Sequence, residues 1–100
     1  MISKAYDIFF ETLANRRRLK IIEAIKGGPK TVSQIVGATG LEQSNVSHNL
    51  GRLYRCGFVT VKRDGKNKIY SLNKKTLEPL VKLIDLHVNK FCRHCLQDRN

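Results

Sequence analysis

A chain of 100 residues builds one modest core, because a short chain buries a smaller share of its surface than a long one, and a second subunit would add to it. With 41% hydrophobic and 27% charged residues it has the make-up of an ordered globular domain, which excludes wholesale disorder and a disulfide scaffold, and no apolar run approaches the roughly 20 residues of a membrane span. Lys and Arg outnumber Asp and Glu by 19 to 8, a formal charge of +11 whose field gathers polyanions, of which nucleic acid is the commonest large one in a cell.

The first stretch, "MISKAYDIFFETLANRRR", is broken by Lys4, Asp7 and Glu11 before a signal-peptide core could form, so a cytoplasmic location is expected, with the three cysteines reduced. Tyr6, Phe9, Phe10 and Leu13 sit at helical spacing. "NRRRLKIIEAIKGG" follows with Asn15 as its cap, Leu19, Ile22 and Ile25 on one face and a Gly pair as its stop, so two helices are predicted. "KTVSQIVGATG" reads as a short helix capped by Thr31, with Val32, Ile35 and Val36 inward. A turn then leads into "LEQSNVSHNLGRLYRCG", whose Val46, Leu50, Leu53 and Tyr54 share a face and whose Gly57 ends it. A short helix, a tight turn and a longer helix make a helix-turn-helix, with residues 43–56 as the recognition helix.

After Gly57 the apolar period falls from 3.6 to 2. "FVTVKR" and "NKIYSL" flank "DGK", a strong hairpin signal, and a basic hairpin directly after a recognition helix is a wing, over residues 58–72. Lys62, Arg63, Lys66 and Lys68 cluster at its tip, where a projecting ribbon meets phosphates or a minor groove. With the stripe of the fourth helix as the buried side, the opposite face carries Ser44, Asn45, His48, Gly51, Arg52 and Arg55. Short polar side chains near a helix N-terminus suit the major groove, where base edges present donors and acceptors.

The motifs "LANRRRLKII", "QSNVS", "LGRLYRCG" and "KIYSL" together resemble the ArsR-type (ArsR/SmtB) winged-helix repressors over most of the chain. The resemblance implies a homodimeric DNA-binding repressor that dimerises through its first and last helices, Phe9 being the first helix's contribution. Carried over by position, it places Gln43, Ser44, Asn45, Ser47 and His48 against bases or phosphates. The chain departs from the family pattern after Val-Ser, where His48, Asn49, Leu50 and Gly51 replace the usual Arg-His-Leu-Lys. The family's thiol-rich metal box is absent as well, since "TVSQIV" holds no Cys, which excludes the arsenic, cadmium or lead type of site.

The last helix is expected over residues 76–97, with Thr76 as cap and Pro79 in the first turn, where its missing N–H is harmless. Its apolar positions Leu77, Val81, Ile84, Val88, Phe91 and Cys95 alternate spacings of four and three, the pattern of a helix packed along another helix, which predicts a dimer seam. At about 100° per residue, His87, His94 and Asp98 lie along one edge of that seam and Asp85 and Cys92 along the other. Zinc-type members of the family pair such edges across the dimer; "DLH" matches the early half of their ligand set, Asp98 stands where a His is expected, and the fourth position falls beyond Asn100. The resemblance thus offers Asp85, His87 and Asp98 as ligands for zinc or a similar divalent metal, with Cys92, His94 and Cys95 as alternates, although no cofactor is required. An intersubunit disulfide through Cys92 or Cys95 is a further possibility.

The expectation is therefore a mainly α single domain with a small β-hairpin between its fourth and fifth helices, a homodimeric winged helix-turn-helix over residues 1–100. Its expected function is that of a sequence-specific transcriptional regulator, a repressor acting as a homodimer on double-stranded DNA with an imperfect palindrome. The alternatives are a non-specific architectural DNA binder and a zinc-type sensor of the same family. No Cys–His pair falls in an evident pocket and no phosphate-binding Gly loop is present, so neither an enzyme nor a small-molecule substrate is expected. No membrane partner is expected, and the aromatic signatures of RNA binding are missing.

Overall fold

A computed structural model describes residues 3–93. Five helices and three strands follow in the order α1 (Lys4–Leu13), α2 (Arg16–Lys26), β1 (Lys30–Thr31), α3 (Val32–Thr39), α4 (Gln43–Arg55), β2 (Val59–Asp64), β3 (Asn67–Leu72) and α5 (Leu77–Phe91). The strands form one antiparallel sheet in the order β1-β3-β2.

Local chemistry explains most of the boundaries. Asn15 starts α2 by accepting from the Arg18 amide at 3.1 Å. Thr31 starts α3 with a reciprocal pair: its hydroxyl accepts from the Gln34 amide at 3.2 Å, and the Gln34 side chain accepts from the Thr31 amide at 2.9 Å. Thr31→Ala is expected to remove the first of these bonds and lower the unfolding free energy by about 1 kcal/mol, read as a lower urea midpoint at unchanged slope. The end of α4 closes through Gly57 at φ +76°, with Gly57 N–H donating to the Tyr54 carbonyl at 3.0 Å and Phe58 N–H to the Leu53 carbonyl at 2.9 Å. That closure turns the chain so that Phe58 enters the core as β2 begins.

The expected cap of α5 differs from the observed one. The Thr76 side chain makes no capping hydrogen bond; Asn73 organises the junction instead. Its side-chain Nδ2 donates to the Gly57 carbonyl at 2.9 Å, its Oδ1 accepts from the Lys75 amide at 3.0 Å, and its own carbonyl accepts from the Glu78 amide at 3.0 Å. One Asn therefore ties the exit of α4 to the entry of α5, whereas Thr76, at φ −126° and ψ −62°, lacks the extended backbone of a capping residue.

The core gathers Ile21, Ile22 and Ile25 of α2, Ile35 of α3, Val46, Leu50 and Leu53 of α4, Phe58, Val59 and Leu72 of the sheet, and Leu77 and Val81 of α5. Two expected core residues lie elsewhere: Leu19 and Tyr54 are exposed. In α2 the side facing α3, α4 and β3 runs through Ile21, Ile22 and Ile25, and Leu19 falls off that arc onto the rim of an open groove beside Ala24 and Ala38. The strand β1 was not expected at all. Two residues after Pro29 are too few for alternation to register in a sequence, yet Lys30 pairs with Tyr70 and Thr31 with Ile69, which anchors the middle of β3.

Candidate nucleic-acid interface

The α4 helix is held by Val46, Leu50 and Leu53, and its opposite side presents Gln43, Ser44, Ser47 and His48 to solvent. Asn45 is half buried on the side of α1 and α2. Arg52 departs from its expected place. It is half buried, and its guanidinium lies 3.4 Å from the hydroxyl of Thr12, a fully buried residue of α1, so it belongs to the contact between α1 and α4 rather than to the exposed row.

The hairpin has the predicted strands, but the turn is one residue later than the Asp-Gly pair suggests. Asp64 pairs with Asn67, leaving Gly65 and Lys66 as the two turn residues, with Gly65 at φ +64° and Lys66 at negative φ. Lys62, Arg63, Lys66 and Lys68 are all exposed, and the register divides them. Arg63 sits directly opposite Lys68 and shares the sheet face of Val61 and Tyr70, which turns toward α4. Lys62 pairs with Ile69 on the other face, and Lys66 stands at the tip. An open cleft results, with Leu50, Gly51 and Tyr54 of α4 on one wall and Val61, Arg63, Lys68 and Tyr70 of the hairpin on the other. Two cations directly opposite each other on one sheet face repel, and an anion lodged between them removes that repulsion.

A part-buried polar cluster supports this face from behind. Arg18 donates from Nε to the Thr12 carbonyl at 2.7 Å and from Nη2 to the Glu11 carbonyl at 3.3 Å, so it satisfies the last turn of α1. Its Nη1 reaches Oδ1 of Asn49 at 3.3 Å, and Asn49 in turn donates to Asn45. Asn49 is 6% exposed. The sequence carried a signal for it: residue 49 lies three after Val46 and four before Leu53, on the stripe that the packing buries.

Of the residues proposed for a metal, the described ones, Asp85, His87 and Cys92, are not brought together. Asp85 forms an ion pair with Lys26 of α2 at 3.1 Å, whereas the His87 ring lies against Phe91 with centroids 5.1 Å apart. Cys92 is half buried just after α5. His94, Cys95 and Asp98 lie outside the described residues, and among the described residues no three His, Cys, Asp or Glu side chains converge. Among the described residues Asp85, His87 and Cys92 do not form a three-ligand group, whereas a zinc site prefers four donors.

The expected seam is divided as well. Leu77 and Val81, at 2% and 9% exposure, are consumed by the chain's own core, and Phe9 packs on Phe58 with ring centroids 5.0 Å apart. Ile84, Val88 and Phe91 remain exposed on α5, joined by Leu83 and Leu86, and Tyr6, Ile8 and Phe10 are exposed on α1. Among the described residues no helix is long and apolar enough to cross a membrane.

Comparison with known proteins gives this architecture a lineage. The sequence profile described as "Bacterial regulatory protein, arsR family" matches residues 15–61. A Streptomyces lividans protein named "Probable mercury resistance operon repressor" is 39% identical over 75 residues, and the alignment takes in 75% of this chain but only 60% of that relative's length. Rv0081 of Mycobacterium tuberculosis, an uncharacterized helix-turn-helix-type transcriptional regulator, is 35% identical over 92 residues, covering 91% of this chain and 77% of its own. Its crystal structure superposes with a TM-score of 0.80 at 34% identity, over 96% of this chain and 93% of that one. The homodimeric winged helix-turn-helix DNA-binding domain Mb0332 of Mycobacterium bovis superposes with a TM-score of 0.83 at 27% identity, over 91% and 84% of the two chains. Sequence and fold agree, and the chain belongs to the ArsR family of bacterial regulatory proteins, the winged helix-turn-helix transcriptional regulators.

Proposed function

We propose that the chain is a sequence-specific transcriptional repressor that binds double-stranded DNA as a homodimer in the cytoplasm, with no cofactor required for binding. The observation that carries this reading is the cleft between α4 and the hairpin, open, walled by Arg63 and Lys68, and set beside the exposed row Ser44, Ser47 and His48. With α4 in a major groove, that cleft takes the phosphate strand at the groove's edge and the Lys66 tip follows it outward. Two copies joined through the exposed apolar side chains of α1 and α5 set their recognition helices about one DNA turn, roughly 34 Å, apart, which requires an imperfect palindrome as operator. Domain roles follow the same division: α4 reads, the hairpin grips and α5 joins.

The test is fluorescence anisotropy on a duplex from the protein's own promoter. A specific regulator holds its site against random duplex by about a thousandfold or more, whereas an architectural binder is displaced by it. Replacing Lys66 and Lys68 by Ala is expected to weaken binding to all sequences alike and to lower the slope of log affinity against log salt by about 2, one unit per lost phosphate contact. An unchanged slope would remove the phosphate role of the hairpin. Adding zinc and then a chelator to the same titration decides the sensor alternative, since a metal-linked equilibrium must move in both directions.

A further inference from the structure

We infer that Asn45 meets its base as a hydrogen-bond donor, with guanine as the preferred base, and that Arg18 and Asn49 are positioning residues that set this polarity. The inference rests on the reading of α4 as the base-reading helix. A guanidinium can only donate, so the atom of Asn49 that lies 3.3 Å from Arg18 Nη1 is its amide oxygen. The other limb of Asn49 lies 3.0 Å from the Asn45 backbone carbonyl, which can only accept, so that limb is the NH2 group. The same NH2 stands 2.8 Å from the Asn45 side chain, and the atom facing it is therefore Oδ1. Each link forces the next, from a cation at one end to a carbonyl at the other.

The chain of bonds resists reversal. Arg18 is fixed by the Thr12 and Glu11 carbonyls at the end of α1, and Asn49 is buried. A flipped Asn49 would aim its NH2 at the guanidinium and its oxygen at a carbonyl, leaving like partners face to face without water. With Oδ1 turned to Asn49, the Nδ2 limb of Asn45 is the one left for DNA. An unconstrained Asn pairs with adenine through both of its limbs, accepting from N6 and donating to N7. An Asn that offers only N–H groups favours guanine, the one base with two adjacent acceptors, O6 and N7, in the major groove; adenine sets a donor beside N7, and cytosine offers a donor.

The experiment selects bound duplexes from a library with randomised half-sites, using the full-length wild type, Asn49→Asp and Asn45→Asp. Wild type is expected to enrich guanine at one position in each half-site. Asn49→Asp keeps the bond to Arg18 but can no longer donate, so Asn45 turns its NH2 inward and its oxygen outward. The preference at that one position then passes from guanine to cytosine or adenine by at least about ten-fold while the other positions hold. A purely structural role for Asn49 would weaken every position together. Asn45→Asp, at a part-exposed site, decides the matter even where Asn49→Asp does not fold: it must carry the same position from guanine to cytosine. Adenine at that position in the wild type, or preferences unmoved by a folded Asn49→Asp or by Asn45→Asp, would overturn the inference. A wild-type library with no enrichment at all would instead fail the sequence-specific reading on which it rests.

Discussion

Replacing Leu83 and Phe91 together by Glu is expected to leave the chain folded and to abolish both the dimer and tight binding to a palindrome. The two side chains are 62% and 61% exposed in the single chain, so neither supports the core, and the helical circular dichroism should persist. In a two-fold assembly each substitution appears twice, and burying a large apolar side chain contributes about 1.5–3 kcal/mol, so four replacements remove roughly 6–12 kcal/mol before the cost of burying carboxylates. That exceeds the 1.4 kcal/mol of a tenfold change many times over. A monomer then binds one half-site at a time and loses the about 10²–10⁴-fold gain of linked binding. Sedimentation velocity at micromolar concentration reads the first effect and anisotropy the second. A variant that sediments as a dimer would place the joining surface somewhere other than α5.

Phe58→Ala has the opposite character, a collapse of the chain itself. Phe58 is 1% exposed, directly follows the glycine closure of α4 and packs at a 45° tilt against Phe9 of α1. Its loss leaves a cavity where α4, the sheet and α1 meet, and truncations of this kind cost about 3–5 kcal/mol. Small domains carry about 5–15 kcal/mol in total, and a 100-residue chain has little in reserve. The expected result is a chemical-denaturation midpoint lowered by roughly a fifth or more, with the hairpin amides losing hydrogen-exchange protection along with those of α4. A change below about 1 kcal/mol would mean that the neighbours relax into the space.

The sequence made the element order legible because each element is regular and carries its own punctuation: Asn15 and Thr31 as caps, Gly57 as a stop, and Gly65 in the turn. What it obscured were contacts between elements. Leu77 and Val81 share the seam's spacing with Ile84 and Val88, but helical spacing alone does not say whether a face meets its own core or a second chain, and the first turns of α5 meet the core. Arg52 lay on the polar side of a helical projection, yet its long side chain reaches sideways to Thr12. Asp85 and His87 match a ligand pattern in one dimension, but nothing in the sequence signals that Lys26 of another helix stands 3.1 Å from the Asp85 carboxylate. The exposed row of α4 was easier to foresee because short side chains stay near their own backbone.

Thr31 holds two posts at once, as the strand partner of Ile69 and as the cap of α3. A single residue shared in this way leaves no joint between the hairpin and the helix-turn-helix, just as Asn73 leaves none between α4 and α5. Hairpin, recognition helix and the start of α5 are thus tied to one another through shared residues. If two such reading heads are joined through α5, as proposed, a signal that changes how one α5 lies against the other would change the distance between the heads.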